Sequence, residues 1–444
     1  MNEEHLNVLW GDNIIGTLTR GTRGKKGRVC FQYSPEWLKK RNLPISLSLP
    51  CSPEPYSADD SMKFFGNLVP EGIVYDQLCK KWRISPDDIY SFLSVFGEEC
   101  AGALTIVKPD SSSQVPAVAY KDITDDLERI LQEAAEYRTG MILESGARLS
   151  LAGAQDKLPV YTENGRYFIP ESGSLAPTTD ILKPAPPGFA DLDINEAFCL
   201  RLAARIGLPV ANASLVSFNS QRALLVERYD RTRTQGGVKR LHQEDFCQAL
   251  RYKEKYEEAG GPGFAACAKI LLIPAMGREA DSRARDIFLR CAIFNYVAGN
   301  CDAHGKNFSL LYAPEGKISL APFYDLVSTR AYPKLDQKFA MAIGKTFRFD
   351  KVAGHSWREL ASAMHIRADK LREILTETVR QITAQASAVA SEQEKAYGSS
   401  PIYEKILHVI EEGQARVEKA IEALQHPPSQ EEESGSGLTL SDAP

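Results

Sequence analysis

The sequence has no long apolar run, no excess of basic charge and no closely spaced pair of cysteines. No apolar stretch approaches the ~20 residues of a membrane-spanning helix, and the acidic start "MNEEHLNVLW" lacks the positive charge of a secretory signal. We therefore expect a cytoplasmic protein that makes no membrane contact. The net charge of −5 argues against a protein that coats nucleic acid by bulk electrostatics, although it permits a local basic patch.

Nine cysteines are scattered along the 444 residues without a C-x-x-C pair. Such spacing favours reduced, mostly buried thiols and offers no zinc site. Cys301, next to Asp302, is better explained as a small buried residue than as a nucleophile. The apolar content of 43% is sufficient for packed cores, and the length predicts two or three domains.

Short strand patterns and turns begin residues 1–140, which we interpret as a first domain. "LNVLWGDNIIGTLTR" predicts a hairpin around Gly11, and a helix capped by Ser57 or Asp59 is expected next. "GALTIV" predicts a further strand. Apolar residues on one face predict a helix over residues 121–139, and we place the domain boundary directly after it.

Residues 141–235 and 236–426 differ in pattern and predict a second domain with two lobes. The first part contains a hairpin closed at Asn164-Gly165, a strand in "DILKPA", a helix in "DINEAFCLRLAARIGLPV" and a strand in "RALLVERYD". The second part is mainly helical, and residues 427–444 form a polar tail that we expect to be disordered. The predicted fold is α+β: a strand-rich domain, then a two-lobed domain with a cleft at the join.

The segment "AGNCDAHGKNFSLLY" places dense polar residues between a helical pattern and an apolar strand pattern. Asp302 precedes Asn307 by five positions, the D-x-x-x-x-N spacing of a protein-kinase catalytic loop. The aspartate could accept the proton of a substrate hydroxyl, and the asparagine could hold a metal ion. Alternatively, the same residues form a hydrogen-bonded turn that His304 braces.

Three further polar residues follow the order that phosphoryl transfer from ATP requires. Lys183 lies in a predicted strand, Glu196 lies early in the next helix, and Asp325 follows a short apolar strand. Glu196 could pair with Lys183, and a carboxylate, an amide and phosphate oxygens together suit Mg²⁺. Each residue alone has a simpler explanation, as a surface lysine, a helix-start charge or a turn cap, but their order favours a kinase.

Residues 150–157, "SLAGAQDK", precede a predicted hairpin, where a nucleotide-covering loop belongs. Their small side chains permit close approach to phosphates, although Gly153 is the only glycine and no G-x-G-x-x-G is present. "VERYD" ends a strand where the two lobes would meet, so the backbone of Glu227 to Tyr229 could contact the adenine.

In combination these motifs resemble HipA-type serine/threonine kinases, the toxins of bacterial toxin–antitoxin modules. The resemblance rests, in order, on "SLAGAQDKLPV", "ILKP", "VERYDR", "LHQEDFCQAL", "CDAHGKNFSLLY" and "PFYDLVS". "YSPEWL", "PISLSLP", "FFGNLVPEG" and "GEECAGALTI" are similar to the N-terminal domain of that family. The likeness covers roughly residues 5–425.

The resemblance implies a role for each site residue. Asp302 would be the catalytic base, Asn307 and Asp325 the Mg²⁺ ligands, and Ser150 a site of autophosphorylation in trans that shuts off nucleotide binding. The residues implied in ATP binding are Ala152, Gly153, Ala154, Gln155, Asp156, Lys157, Lys183, Glu227, Arg228, Tyr229, His304, Lys306, Asn307 and Asp325. The family also implies an aminoacyl-tRNA synthetase substrate, notably the glutamyl enzyme, and a small helix-turn-helix antitoxin, HipB, that brings the complex to operator DNA.

The sequence leaves three functions to compare. The favoured one is a protein kinase that phosphorylates a translation factor, inhibits growth and is neutralised by an antitoxin. The alternative is a small-molecule or lipid kinase of related fold. A third hypothesis is a non-catalytic, nucleotide-gated repressor subunit, against which the complete set of polar residues argues.

Overall fold

The computed structural model describes residues 4–21, 27–40, 43–109, 118–137, 157–186, 188–272, 278–313 and 316–425. Within them the chain forms an N-terminal sheet with helices, then a six-stranded sheet, then a mainly helical lobe. The predicted α+β class is therefore confirmed. The predicted tail, residues 427–444, lies outside the described residues.

The N-terminal region is built around an antiparallel sheet of four strands. These are β1 (His5–Trp10), β2 (Asn13–Arg20), β3 (Val29–Tyr33) and β4 (Leu104–Val107), in the spatial order β3-β2-β1-β4. Its helices are α1 (Pro35–Lys40), α2 (Ala58–Phe65), α3 (Gly72–Trp82) and α4 (Ile89–Phe96). The predicted hairpin is confirmed, because Gly11 at φ 59° turns β1 into β2. Ser57 caps α2 by accepting a hydrogen bond from the Asp60 amide.

A six-stranded antiparallel sheet follows. Its strands are β5 (Tyr120–Asp122), β6 (Leu158–Glu163), β7 (Arg166–Pro170), β8 (Asp180–Pro184), β9 (Ala213–Phe218) and β10 (Gln221–Glu227), in the spatial order β5-β7-β6-β8-β10-β9. Two helices accompany it, α5 (Leu127–Tyr137) and α6 (Leu192–Arg205). The hairpin predicted at Asn164-Gly165 is confirmed: both residues have positive φ, as a type I′ turn requires, and they join β6 to β7.

The chain before residue 140 contributes to this sheet, which the predicted boundary did not anticipate. Tyr120–Asp122 pairs with β7, and α5 begins only at Leu127. The helix predicted over 121–139 is therefore wrong at its start. Buried Ile123 fits the helical period, so the pattern places it in the helix, and the strand Tyr120–Asp122 is too short to show alternating apolar and polar residues. The division at residue 140 stays a prediction, although β5, which precedes it, pairs with β7, which follows it.

The last part of the described chain combines long helices with short strand pairs. The strands are β11 (Arg231–Thr234), β12 (Gly237–Arg240), β13 (His242–Asp245), β14 (Ser309–Tyr312), β15 (Ile318–Leu320), β16 (Lys338–Ile343) and β17 (Thr346–Arg348). The helices are α7 (Phe246–Leu250), α8 (Phe264–Ile270), α9 (Arg278–Val297), α10 (Gly354–Ala363), α11 (Ala368–Tyr397) and α12 (Pro401–Gln425). β13 and β14 pair although about 65 residues separate them, a pairing that the local pattern did not predict. Among the described helices, none is both long and apolar enough to cross a membrane.

A buried ionic cluster joins the N-terminal region to the end of the six-stranded sheet. The Glu99 carboxylate lies 2.7 Å from Arg228, 2.8 Å from Arg231 and 2.5 Å from Arg240. Burial opposes ionisation of Glu99, but the three guanidinium groups outweigh it and lower the pKa to about 2. Because Arg228 directly follows β10, the cluster fixes the N-terminal region against the strand that enters the cavity described next.

Candidate active site

A cavity of about 590 Å³ lies where the N-terminal region, the six-stranded sheet and the helical lobe meet. That volume is within the range of roughly 300–1,000 Å³ typical of small-ligand sites. Its wall includes most of the predicted site residues: Lys157, Lys183, Glu227, Arg228, Tyr229, Asp302, His304, Lys306, Asn307 and Asp325. The fold thus brings together residues that are up to 168 positions apart in the chain.

Lys183, on β8, carries an ammonium group that bridges two carboxylates. Its Nζ lies 2.7 Å from Glu196 Oε1 on α6 and 3.0 Å from Asp325 Oδ1. Burial would lower the pKa of Lys183, but Asp325 and Glu196 outweigh burial and raise it, so the group stays charged. The pairing of Lys183 with Glu196 that the sequence suggested is therefore present.

Asp325 follows β15 and adopts φ 58°, a conformation that is uncommon for a residue other than glycine. Residues held in such conformations cluster at functional sites. Burial opposes ionisation of Asp325, but Lys183 and Lys157 outweigh it and lower the pKa to about 2. The carboxylate is therefore an anionic oxygen donor at the cavity wall.

The loop after α9 is a hydrogen-bonded turn that also presents a carboxylate. The backbone amide of His304 and the side-chain Nδ2 of Asn307 both donate to the Asp302 carbonyl, at 2.8 and 3.1 Å. The Asp302 side chain itself is exposed at the cavity. Since Asn307 uses its amide nitrogen within the turn, its Oδ1 is the atom left for a metal ion. A hydrogen-bonded turn and a catalytic loop are therefore compatible interpretations of this segment.

Tyr256 is a site residue that the sequence did not reveal. Its hydroxyl donates to Asp302 Oδ1 at 2.8 Å, and its ring lies edge-on to His304 with the centroids 5.3 Å apart. Desolvation by the surrounding protein raises the pKa of Asp302, and the hydrogen bond from Tyr256 opposes that rise. A raised pKa makes Asp302 a stronger proton acceptor than an ordinary aspartate.

Lys306 is paired with a carboxylate of the N-terminal region, which sequence reasoning also missed. Glu71 Oε1 lies 2.6 Å from Lys306 Nζ, and Glu71 Oε2 lies 2.7 Å from Lys255 Nζ. Burial opposes ionisation of Glu71, but the two lysines, Lys306 first, outweigh it and lower the pKa to about 2. The only sequence signal was that Glu71 lies in the motif "FFGNLVPEG".

The side chain of His304 is neutral, and one of its ring nitrogens has no hydrogen-bond partner among the described residues. Burial, with the nearby Lys255, lowers the pKa of His304 to about 3. Its Nδ1 is buried without a hydrogen-bond partner among the described residues. A buried nitrogen of this kind needs a partner, and a ligand in the cavity can supply one.

The segment Glu227 to Tyr229 enters the cavity at the end of β10. The amides of Glu227 and Arg228 donate to the carbonyls of Asn212 and Thr179, at 2.8 and 2.9 Å. The Arg228 side chain points into the buried Glu99 cluster. An adenine contact at this segment would therefore use carbonyls or the amide of Tyr229.

The predicted phosphate loop falls almost entirely outside the described residues. This applies to Ser150 and to Ala152, Gly153, Ala154, Gln155 and Asp156. Lys157, the last residue of the loop, is described and lines the cavity. Burial, with the neighbouring Lys183, lowers the pKa of Lys157 to about 8.

The residues present fit a magnesium-bound triphosphate. Among the described residues, no cluster of three or more His, Cys, Asp or Glu side chains could hold a metal ion. Asn307 and Asp325 offer one amide oxygen and one carboxylate, which suits Mg²⁺ because this ion takes most of its remaining ligands from phosphate and water. Positive charge for the phosphates is available from Lys157, Lys183, Lys255 and Lys306.

A strand lysine paired with a helix glutamate, facing an aspartate–asparagine loop across a cleft between two lobes, is typical of protein-kinase-like folds. Family models match both parts of the chain: the HipA N-terminal domain over residues 6–107 and the HipA-like C-terminal domain over residues 149–386. The chain is 40% identical to "Putative kinase Y4mE" of Sinorhizobium fredii, over 86% of this chain and 91% of that one.

A second relative has a more specific name. The chain is 30% identical to the serine/threonine-protein kinase toxin HipA of Shewanella oneidensis, over 85% of this chain and 87% of the relative. A chain of the solved complex of Shewanella oneidensis HipA, HipB and operator DNA matches this fold with a TM-score of 0.78 at 26% identity, covering 95% of this chain and 98% of that one. The chain belongs to the HipA family of serine/threonine kinase toxins, and the resemblance inferred from its motifs is confirmed.

Proposed function

We propose that the protein is an ATP- and Mg²⁺-dependent kinase that phosphorylates a serine or threonine hydroxyl of a protein target. One observation carries the proposal: Lys183 pairs with both Glu196 and Asp325 in the same cavity that presents Asp302 and Asn307. A relative named as a serine/threonine-protein kinase supports a protein substrate over the small-molecule or lipid alternative.

In the proposed reaction the chain's own residues hold the nucleotide and move one proton. Lys183, kept charged by its two carboxylates, binds phosphate oxygens, and Asn307 and Asp325 would hold the metal ion. Magnesium, when bound, neutralises charge on the β- and γ-phosphate oxygens. Lys306 and His304 line the cavity on the same loop as Asn307 and would lie against the nucleotide.

Asp302 acts as the base. Its Oδ1 accepts a hydrogen bond from the Tyr256 hydroxyl at 2.8 Å, and its Oδ2 would accept the proton of the attacking hydroxyl. As the hydroxyl oxygen of the substrate bonds to the γ-phosphorus, the bond between that phosphorus and the bridging oxygen of ADP breaks. The proton stays on Asp302 until product leaves.

The biological setting is proposed from the family. The target would be an aminoacyl-tRNA synthetase such as the glutamyl enzyme, so phosphorylation would inhibit translation and growth in the cytoplasm and promote persistence. Autophosphorylation at Ser150 would add negative charge beside the nucleotide and inactivate the kinase.

The proposed partner is a HipB-like antitoxin. HipB and operator DNA accompany HipA in the solved Shewanella oneidensis complex. For this chain, with a net charge of −5, we expect most DNA affinity to come from the antitoxin. Tight operator binding by the chain alone would contradict this division.

The test of the activity is transfer from γ-labelled ATP to protein. Asp302→Asn keeps the size of the side chain but weakens the base, so we expect transfer to fall by about 10²–10⁴-fold, the range for a lost general base. Asp336→Asn, an exposed aspartate in the same lobe, is the matched control and should transfer at the wild-type rate.

Wild-type protein is incubated with Mg-ATP and cell lysate, and labelled products are separated into protein and metabolite fractions. Label confined to metabolites would favour a small-molecule kinase. Nucleotide binding without transfer, and growth inhibition that survives Asp302→Ala, would favour the non-catalytic repressor subunit. Label on a protein, lost in Asp302→Asn, supports the proposal.

A further inference from the structure

The side chain of Glu71 is directed away from the helix that it begins. Glu71 is the N-cap residue of α3, a position where a Ser, Thr, Asp or Asn side chain commonly accepts a hydrogen bond from the helix. Here the side chain makes no such bond. Instead each carboxylate oxygen pairs with a lysine of the helical lobe, Lys306 at 2.6 Å and Lys255 at 2.7 Å.

The two lysines belong to the segments that carry the chemistry. Lys306 lies on the loop between His304 and Asn307, and its side chain is 7% exposed. Lys255 precedes Tyr256, whose hydroxyl donates to Asp302. One carboxylate therefore ties together the segment of the metal ligand and the segment that contacts the base.

The N-terminal segment that carries Glu71 is also fixed to the helical lobe by neutral hydrogen bonds. Asn67 Nδ2 donates to the carbonyl of Tyr252 at 3.1 Å, and Gln248 Nε2 donates to the carbonyl of Phe64 at 3.1 Å. Contacts at residues 64, 67 and 71 leave little freedom for the carboxylate to move away from the lysines. The bridge is thus a built contact between two regions.

We propose that Glu71 is a positioning residue for phosphoryl transfer: it holds Lys306 and Lys255 in the cavity wall beside the loop of Asp302 and Asn307, and it makes the N-terminal region part of the active site. This inference rests on the proposed kinase function. An ammonium group has three donors, so a lysine paired once with Glu71 can still donate to phosphate oxygens. Without Glu71, two cations that now share one carboxylate would repel each other and separate.

Glu71→Gln tests the inference because glutamine keeps the shape and removes the charge. The readouts are ADP formation from Mg-ATP by the full-length protein, which counts transfer to any acceptor including water, and the Kd for Mg-ATP. We expect kcat to fall about tenfold or more, since a misplaced group of this kind costs up to about 10²-fold, while Kd changes by less than about threefold. The kcat of Glu71→Asp, whose side chain is shorter by one methylene, should lie between those of the wild type and Glu71→Gln.

Asp59→Asn is the matched control, because Asp59 forms an exposed ion pair with Arg28 at 2.6 Å in the same N-terminal region. It should leave both kcat and Kd unchanged. Thermal unfolding of each variant separates a positioning effect from a loss of folded protein. If Glu71→Gln does not fold, Glu71→Asp takes its place: it keeps the charge but is too short to hold both lysines as Glu71 does, and it must lower kcat while the Kd for Mg-ATP stays within the same limit.

The two proposals fail in different ways. Wild-type protein that neither binds Mg-ATP nor forms ADP would overturn the kinase function. Active wild-type protein with an unchanged kcat in folded Glu71→Gln, or in Glu71→Asp where the first variant does not fold, would overturn the positioning role alone. A higher kcat in Glu71→Gln would also overturn it, since the carboxylate would then compete with phosphate.

Discussion

Lys183 and Lys306 are both buried cations of the same cavity, but they are held from different parts of the molecule. Lys183 pairs with Glu196 and Asp325, which follow it in the kinase-like part of the chain. Lys306 pairs with Glu71, which lies in the N-terminal region. The Glu196 side chain is 1% exposed, whereas that of Glu71 is 26% exposed. One half of the site is therefore self-contained, and the other half depends on a separate region.

The largest effect is expected from breaking the self-contained half with Lys183→Met. The change leaves Glu196 buried without its cation, so we expect a loss of about 3–5 kcal/mol in the free energy of unfolding. Transfer should fall by about 10²–10³-fold, the range for one lost electrostatic contact. Urea unfolding and kcat/KM for ATP provide the measurements.

Lys338→Met serves as the control, because Lys338 and Glu258 form an exposed pair at 3.0 Å. A surface pair of this kind contributes about 0–1 kcal/mol, so stability and transfer should stay near the wild-type values. If Lys183→Met matched this control in both measurements, Lys183 would contribute neither to stability nor to phosphate binding, contrary to the proposal.

A smaller effect is expected from Glu99→Gln, which loosens the N-terminal region. Glu99 is not part of the cavity lining, but it pairs with Arg228, which is. Three guanidinium groups would lose their shared carboxylate, and we expect a loss of about 3 kcal/mol in the free energy of unfolding. Because the same region carries Glu71, kcat should also fall, in the direction of Glu71→Gln. Glu98→Gln is the neighbouring control, since its carboxylate accepts a long bond, 3.3 Å, from the exposed Gly173 amide. Wild-type kcat in a destabilised Glu99→Gln would show that the two interdomain contacts act independently.

Glu99 also predicts part of the pH dependence of stability. The pKa of Glu99 is lowered from 4.5 to about 2 on folding, so its contribution is fully present above the higher value and is lost as the pH falls through the lower one. Glu99→Gln should therefore lose less stability than the wild type as the pH is lowered over that interval. Unfolding followed at several acidic pH values measures the difference, and equal losses would argue against an ionised Glu99.

The smallest effect is expected from Tyr256→Phe, which removes a single hydroxyl next to the base. The hydrogen bond from Tyr256 opposes the raised pKa of Asp302, so its loss should raise that pKa further. Since Asp302 must be ionised to accept a proton, the acid limb of the kcat–pH profile should move to higher pH. Tyr397→Phe, an exposed tyrosine at the end of α11, should leave the profile unchanged. An unshifted profile in Tyr256→Phe would mean that the hydroxyl does not contact the base during turnover.

Part of the site could be read from local patterns. The spacing of Asp302 and Asn307 and the position of Asp325 after a short strand depend on neighbours in the chain, and the placement of Lys183 on a strand was equally visible. The β6–β7 hairpin was predicted because Asn164-Gly165 determines its own backbone geometry. The start of α5 was predicted wrongly, because the strand before it, β5, depends on pairing with β7, which lies over 40 residues further along the chain.

The sequence by itself determined the family, through the resemblance of its motifs. It also determined the α+β class and the order of the residues that would bind and transfer phosphate, because these follow from local spacing and periodicity. Only the tertiary structure decided that Glu71 reaches Lys255 and Lys306, across 184 and 235 positions of sequence, and that Tyr256 donates to Asp302. Contacts of this range depend on how separate sheets and helices pack. No spacing rule connects a carboxylate of one region with lysines of another.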